Sequence, residues 1–150
     1  LVDAFPDIDF HIGAQTSMGP KLTCLEDKRN VHLYPGIRQE KYQELLRNCF
    51  IYLDLNYGSE VSDVTLDAIE NGQLLFGLES TVHRHYYKDL PTVYTSLEEL
   101  EQGFRQLIQQ AEFYPKALES QKEVLKLAER EEILAFFTRL EGEKDDDLHL

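Results

Sequence analysis

The chain has 150 residues, 42% of them apolar, which is enough for one buried core and too little for several domains. Its formal net charge of -13 works against nucleic acid and against anionic membrane surfaces, because both are held by cations that displace counterions. No apolar run approaches the ~20 residues of a membrane span, and the N-terminus lacks the basic-then-apolar pattern of a signal peptide, so the composition predicts a cytoplasmic protein without a membrane span.

The opening LVDAFPDIDF reads as the last turn of a helix that bends at Pro6 and Asp7 into a strand, so the natural chain is expected to begin upstream. Runs rich in β-branched and aromatic residues predict strands over Ile8–Ala14, Asn30–Tyr34, Phe50–Leu55, Leu74–Leu78 and Thr92–Tyr94. Between them, Pro20–Glu26 is long enough for a short helix. Gln39–Asn48 carries Tyr42, Leu45 and Leu46 at helical spacing, and Val61–Asn71 carries Val61, Val64, Ala68 and Ile69. Strand alternating with helix predicts an α/β, Rossmann-like three-layer domain with a parallel sheet, right-handed crossovers and helices on both faces. The unbroken apolar character of IYLDL and LLFGL agrees with strands covered on both sides.

After Ser96, an N-cap with Glu99 three residues on, the pattern turns to helix alone. Leu97, Leu100, Phe104, Leu107 and Ile108 form one stripe. Pro115 opens a further helix through Leu118, Val124, Leu125 and Ala128, which Ile133–Leu140 continues or follows with another. The closing EGEKDDD reads as a solvated, fraying end, or as a docking element for a basic partner. The expected organisation is a single domain over 1–150, with a sheet part at about 5–95, a helical part at about 96–141 and an acidic tail at 142–150.

Cys24 and Cys49 stand alone, without a CxxC spacing, and are expected as reduced thiols. TVHRHYYK, residues 81–88, is the one locally basic and aromatic stretch. It is either a surface loop or a place where rings stack on a sugar or base and Arg84 meets phosphate. His83 and His85 have no third ligand placed by spacing, so no metal is predicted.

Ligands in doubly wound sheets collect outside the carboxyl ends of the strands, which directs attention to three loops, Gly13–Pro20, Pro35–Arg38 and Asn56–Asp63. GAQTSMGP, from Gly13, has two glycines and two hydroxyls but matches neither a P-loop nor GxGxxG. YPGI sets a φ-restricted proline before the permissive Gly36 and then Ile37, so its backbone groups are expected to face outward, toward a nucleobase edge or simply into a closing turn. After Gly58, Ser59 is a good N-cap and Gly72 a good stop for a helix whose free amides would suit a phosphate. Glu60 and Asp63 in its first turn and Asp67 one turn on stabilise the helix dipole and repel a diphosphate, so the charge favours a carboxylate on a hydroxylated ring, or an empty site.

From Val31 to Gly77 the sequence resembles the C-terminal half of GT-B glycosyltransferases, with NVHLYPGI, KYQELLRNC, FIYLDLN and LDAIENGQLLFG in register. In that pattern an E-x7-E pair holds the donor. The resemblance implies that Asp67 takes the place of the ribose-binding acid, whereas Ser59 stands where the first acid belongs and Glu60 lies one position away. FPDIDFHIGAQTSMGPKL, IYLDLNYGSEV and AIENGQLLFGLESTVH further resemble the GtfA and GtfB proteins that together O-glycosylate serine-rich repeat adhesins in Gram-positive bacteria. The incomplete acid pair is similar to the GtfB, stabilising side of that pair.

The resemblance implies a partner GT-B glycosyltransferase, a Ser/Thr-rich polypeptide acceptor, a UDP-sugar as donor substrate rather than any cofactor, and an oligomeric assembly. Together with the loop readings it nominates Gly13, Gly36, Ile37, Gly58, Ser59, Glu60 and Asp67 as the donor-binding set, with no catalytic residue in this chain. Three readings stay open: a donor-binding half of an active transferase, a protein-binding module of the same fold that binds no donor, and an unrelated response-regulator-like domain. The last lacks the acidic pair expected after its first strand.

Overall fold

The apolar run Leu74–Leu78 becomes the central strand of a parallel sheet, and all five of its residues are buried. The computed structural model describes residues 1–58 and 64–147, with side chains described as far as 139. The chain divides into two compact units, Leu1–Phe50 and Ile51–Leu150.

In the first unit, β1 (Phe10–Ala14) pairs in parallel with β2 (Val31–Pro35), Phe10 opposite Val31 and Gly13 opposite Tyr34. The two are joined through α1 (Pro20–Thr23), and α2 (Gln39–Asn48) follows. The buried Asn30 holds the opening turns in place by donating its side-chain amide to the carbonyls of Val2, Phe5 and Ile8 at 3.0–3.2 Å. Three backbone acceptors gathered on one side-chain amide satisfy groups that have no strand partner of their own.

In the second unit the order is β3 (Ile51–Asp54), β4 (Leu74–Leu78), β5 (Val93–Tyr94), all parallel, with α3 (Val64–Glu70) crossing between β3 and β4. Gly72 ends α3 at φ +83°, and the Gln73 amide reaches back to the Ala68 carbonyl at 3.0 Å, the closure that only a left-handed residue allows without strain. α4 (Leu97–Gln109) starts at Ser96, whose hydroxyl accepts from the Glu99 amide. Glu99 returns the bond to the amide and hydroxyl of Thr95, one residue before the cap.

Both faces of β4 are covered by helix, as the sequence predicts. Leu75 packs with Val82, Tyr87 and Leu90, against which Ile69, Val124 and Leu125 lie, while Phe76 meets the ring of Phe104 at 4.6 Å and of Tyr94 at 6.0 Å. Tyr94 lies so close to α4 that a Cβ on Gly103 would sit 2.0 Å from its hydroxyl oxygen, so this helix position takes no side chain.

Two sequence expectations change. TVHRHYYK is not simply a surface loop: His85–Asp89 forms a 3-10 turn that sends Tyr87, 1% exposed, into the core. α5 begins at Phe113, two residues before the expected start, with Pro115 inside the first turn where an amide has no helical partner, and it runs as one helix to Asp147.

β5 is only two residues long and covers only the end of β4, so the rest of that edge is completed by side chains. The Leu75 amide donates to Gln121 Oε1 and Gln121 Nε2 donates to the Gln73 carbonyl, both at 2.9 Å, the Thr92 hydroxyl donates to the Leu75 carbonyl, and the Gly77 amide donates to the Thr92 carbonyl at 3.1 Å. Gln121, 1% exposed on α5, thus stands in for a residue of a neighbouring strand. Replacing Gln121 by Leu takes away the acceptor of the buried Leu75 amide and a donor to the Gln73 carbonyl, each bond lost costing about 1–3 kcal/mol. Urea unfolding of Gln121→Leu is therefore expected to show a loss of about 2–5 kcal/mol at unchanged m-value, and a loss below about 0.5 kcal/mol would mean that water replaces the rung.

Candidate functional site

The loops that leave β1 and β2 close on each other. The Ile37 amide donates to the Ala14 carbonyl and the Gly36 amide to the Thr16 carbonyl, both at 2.9 Å, with Gly36 at φ +57°. Ile37 lies over Gly13, where a Cβ would come within 3.0 Å of its Cδ1. Gly13, Gly36 and Ile37 are therefore brought together, with glycine favoured at 36 by its positive φ and a side chain at 13 requiring Ile37 to shift. Of the two readings of YPGI, the closing turn describes these two amides, since both are bonded inside the turn rather than facing outward.

The face of the β1–β2 ribbon beside this turn carries an aromatic ladder that sequence reading missed. His11 stands opposite His32 in the strand register, and their rings stack at 4.7 Å. His11 Nδ1 shares a 2.9 Å hydrogen bond with the Tyr34 hydroxyl, His32 Nε2 donates to Asp9 Oδ1 at 2.9 Å, and Lys41 on α2 lies 5.3 Å from the centre of the Tyr34 ring. Desolvation between its neighbours, then the nearby His32, holds the His11 pKa below the ordinary histidine value, and the His32 hydrogen bond lowers that of Asp9. No pattern along the sequence announces this ladder. It exists only once the strand register is known.

In the second unit the loop after β3 is held by local bonds. The Asn56 amide reaches Asp54 Oδ1 at a long 3.5 Å, and the Gly58 amide donates to Asn56 Oδ1 at 2.9 Å, while the amides nominated for phosphate, those that follow Gly58 and Ser59, lie outside the described residues. Ser59 and Glu60 lie outside the described residues. Asp67 sits half-buried on α3, its backbone carbonyl accepting from the amide and the side chain of Asn71 at 3.0 and 2.8 Å.

Asp54, 3% exposed at the carboxyl end of β3, is a buried acid beside this loop that the sequence reading passed over as part of a strand. An acid within an otherwise apolar IYLDL was the available signal. The Thr81 hydroxyl fastens the neighbouring loop here, within 2.7 Å of the Asp54 carbonyl and 3.1 Å of that of Leu78, and accepts the Leu78 amide at 3.2 Å. Gly77 permits the closure, because a Cβ there would lie 3.1 Å from Val82 Cγ1 and 3.2 Å from the Asp54 carbonyl.

Parallel strands with glycine-bearing loops at their carboxyl ends, and an acid on the helix that follows β3, define an α/β fold of the class that gathers ligands at strand ends. Known proteins agree. Over 83 residues the chain is 42% identical to the UDP-N-acetylglucosamine–peptide N-acetylglucosaminyltransferase stabilizing protein GtfB of Streptococcus parasanguinis, which covers 55% of this chain and 19% of that protein. It is 37% identical over 83 residues to the glycosyltransferase GlyD of Streptococcus pneumoniae serotype 4, covering 55% of this chain and 10% of GlyD. The crystal structure of a GtfA/B complex bound to UDP and GlcNAc superposes on 82% of the chain and 28% of its counterpart, with a TM-score of 0.72 and 28% identity. The chain belongs to the GftB/GlyA-F C-terminal domain family, which it matches over residues 1–121. It spans about a fifth of the length of the stabilizing proteins it resembles.

A histidine whose folded pKa is depressed binds its proton more readily in the unfolded chain, so its contribution is intact above the ordinary histidine range and is lost as pH falls through it. His11 is expected to titrate by NMR below about 6.5, and the thermal midpoint to fall between about pH 7 and pH 5. His11→Phe keeps a ring in the stack, cannot take the proton, and is expected to flatten that slope.

Proposed function

We propose that this chain is the C-terminal domain of a GT-B-like stabilising subunit that acts, with a partner glycosyltransferase, in transferring a sugar from a UDP-sugar to Ser or Thr of a bacterial surface adhesin in the cytoplasm. The observation that carries the reading is the broken acid pair: Asp67 keeps the second position on α3, while Ser59 occupies the first. The engagement of the Gly36 and Ile37 amides within their own turn supports the same reading, because it removes backbone donors from the turn that would meet a nucleobase. So does the name of the 42% identical relative, which stabilises a peptide N-acetylglucosaminyltransferase. In this reading the domain offers protein surface to the partner and to the polypeptide acceptor, and the transferring groups belong to the partner.

A second reading, a working donor site, is favoured by the half-buried Asp67 and by the resemblance to the glycosyltransferase GlyD. It requires a ribose hydroxyl on the Asp67 carboxylate. The two readings diverge on donor binding. A ligand present at a hundred times its Kd stabilises a fold by about 2.7 kcal/mol, a clear rise in thermal midpoint. The stabilising-subunit reading predicts no shift with UDP or UDP-N-acetylglucosamine, together with co-purification with a partner glycosyltransferase. A shift that disappears in Asp67→Ala would establish the donor site instead.

A further inference from the structure

The ladder on the β1–β2 ribbon has a chemical use that closing the turn beside it does not require. His11 and His32 are partners in a parallel register, so their side chains leave the same face one strand spacing apart, and the rings meet at 4.7 Å between centroids. Both reach solvent, His11 exposed and His32 half-buried. One nitrogen of each ring is already held by an oxygen: His32 Nε2 donates to Asp9 Oδ1, and His11 Nδ1 bonds the Tyr34 hydroxyl, each at 2.9 Å. With the proton of each neutral ring on that nitrogen, His32 Nδ1 and His11 Nε2 keep their lone pairs. Neither has a hydrogen-bond partner among the described residues.

An imidazole fastened through one nitrogen to a carboxylate or hydroxyl, and open at the other, is the arrangement found around histidine ligands of metal ions. The outer partner fixes the tautomer and raises the basicity of the free nitrogen. Neutrality is a second requirement, because a metal competes with the proton for that lone pair. Desolvation, then the charge of His32, holds the pKa of His11 below the ordinary value, so near pH 7 that ring is largely uncharged. The third is freedom to turn. The outer torsion of a histidine is broad, so the two rings can tilt out of their stack toward one ion, bringing their nitrogens to the ~3.3 Å that two zinc–nitrogen bonds at a tetrahedral angle span.

We propose that His11 and His32 together bind a late first-row divalent metal ion of the zinc type, and that the ion ties β1 to β2. Imidazole nitrogens select such ions over magnesium and calcium, which seek oxygen. Among the described residues no group of three or more His, Cys, Asp or Glu side chains is placed to hold a metal, so water fills the remaining positions and Asp9 acts through His32. A two-stranded sheet is a weak unit by itself, and an ion across its middle would fix the register that the turn of Gly13, Gly36 and Ile37 sets at one end. The inference does not depend on any role in sugar transfer.

Thermal unfolding with Zn2+ and with Mg2+ at equal concentration tests it, in a Cys24→Ser, Cys49→Ser background that removes competing thiols. The midpoint is expected to rise with Zn2+ and not with Mg2+. In nitrogen-15 NMR of the zinc-loaded chain, His11 Nε2 and His32 Nδ1 are expected to shift while the other three histidines do not. His11→Phe and His32→Phe, which keep a ring in the stack, are each expected to abolish the response, and Asp9→Asn to weaken binding about 10–100-fold. An equal response to Mg2+ would mark the ion atmosphere of a chain at -13 and overturn the proposal. So would no response to Zn2+, a response that survives either phenylalanine substitution, or nitrogen shifts that fall on His83 and His85 instead.

Discussion

A strand buried on both faces has no water to fall back on, and every amide and carbonyl along β4 must find a partner inside the protein. β3 supplies one side of the ladder. The other side depends on a two-residue strand and on two side chains, Thr92 from the segment before it and Gln121 from a helix. The amide of a glutamine carries a donor and an acceptor at the separation a peptide group presents to its neighbour, so Gln121 continues the ladder where backbone runs out. The first half of α5 is thereby fixed on the sheet by hydrogen bonds as well as by the packing of Val124 and Leu125 on the cluster around Leu75. The register of α5, and hence the direction its later residues face, follows from that single rung.

Local signals in the sequence were strong where one residue type has one physical use. Gln39–Asn48 and Leu74–Leu78 are found with the bounds their periodicity implies, Gly72 stops α3 by adopting positive φ, and Ser96 caps α4. What the sequence did not show were facts of register and of distance. Gln121 lies in SQKEV among charged neighbours and looks solvated, yet it is 1% exposed because a strand edge 46 residues earlier lacks a partner. His11 and His32 become neighbours only through the pairing of β1 with β2, and Tyr87 is drawn into the core by a 3-10 turn that its basic surroundings conceal. Of the nominated binding residues, Gly13, Gly36 and Ile37 prove to be one cluster for reasons of turn closure. A turn of that kind looks the same in sequence whether or not it faces a ligand.

A Rossmann-like arrangement provides loops at strand ends, and what those loops do depends on which donors and charges they leave available. Here the loops after β2 and β3 spend amides on their own closure, and Asp54 is enclosed by Thr81 and Gly77 rather than presented. Such economy suits the proposed function, in which the domain is kept for its shape and surface.

The distance in sequence between β4 and the glutamine that completes it also bears on how the polypeptide is made. Leu75 leaves the ribosome 46 residues before Gln121 does, so the nascent sheet must wait with an unsealed border while the intervening helix is synthesised. An unsealed border of this kind pairs readily with any passing extended segment, which makes that interval the moment of greatest exposure to misassembly and the natural point for a chaperone to engage.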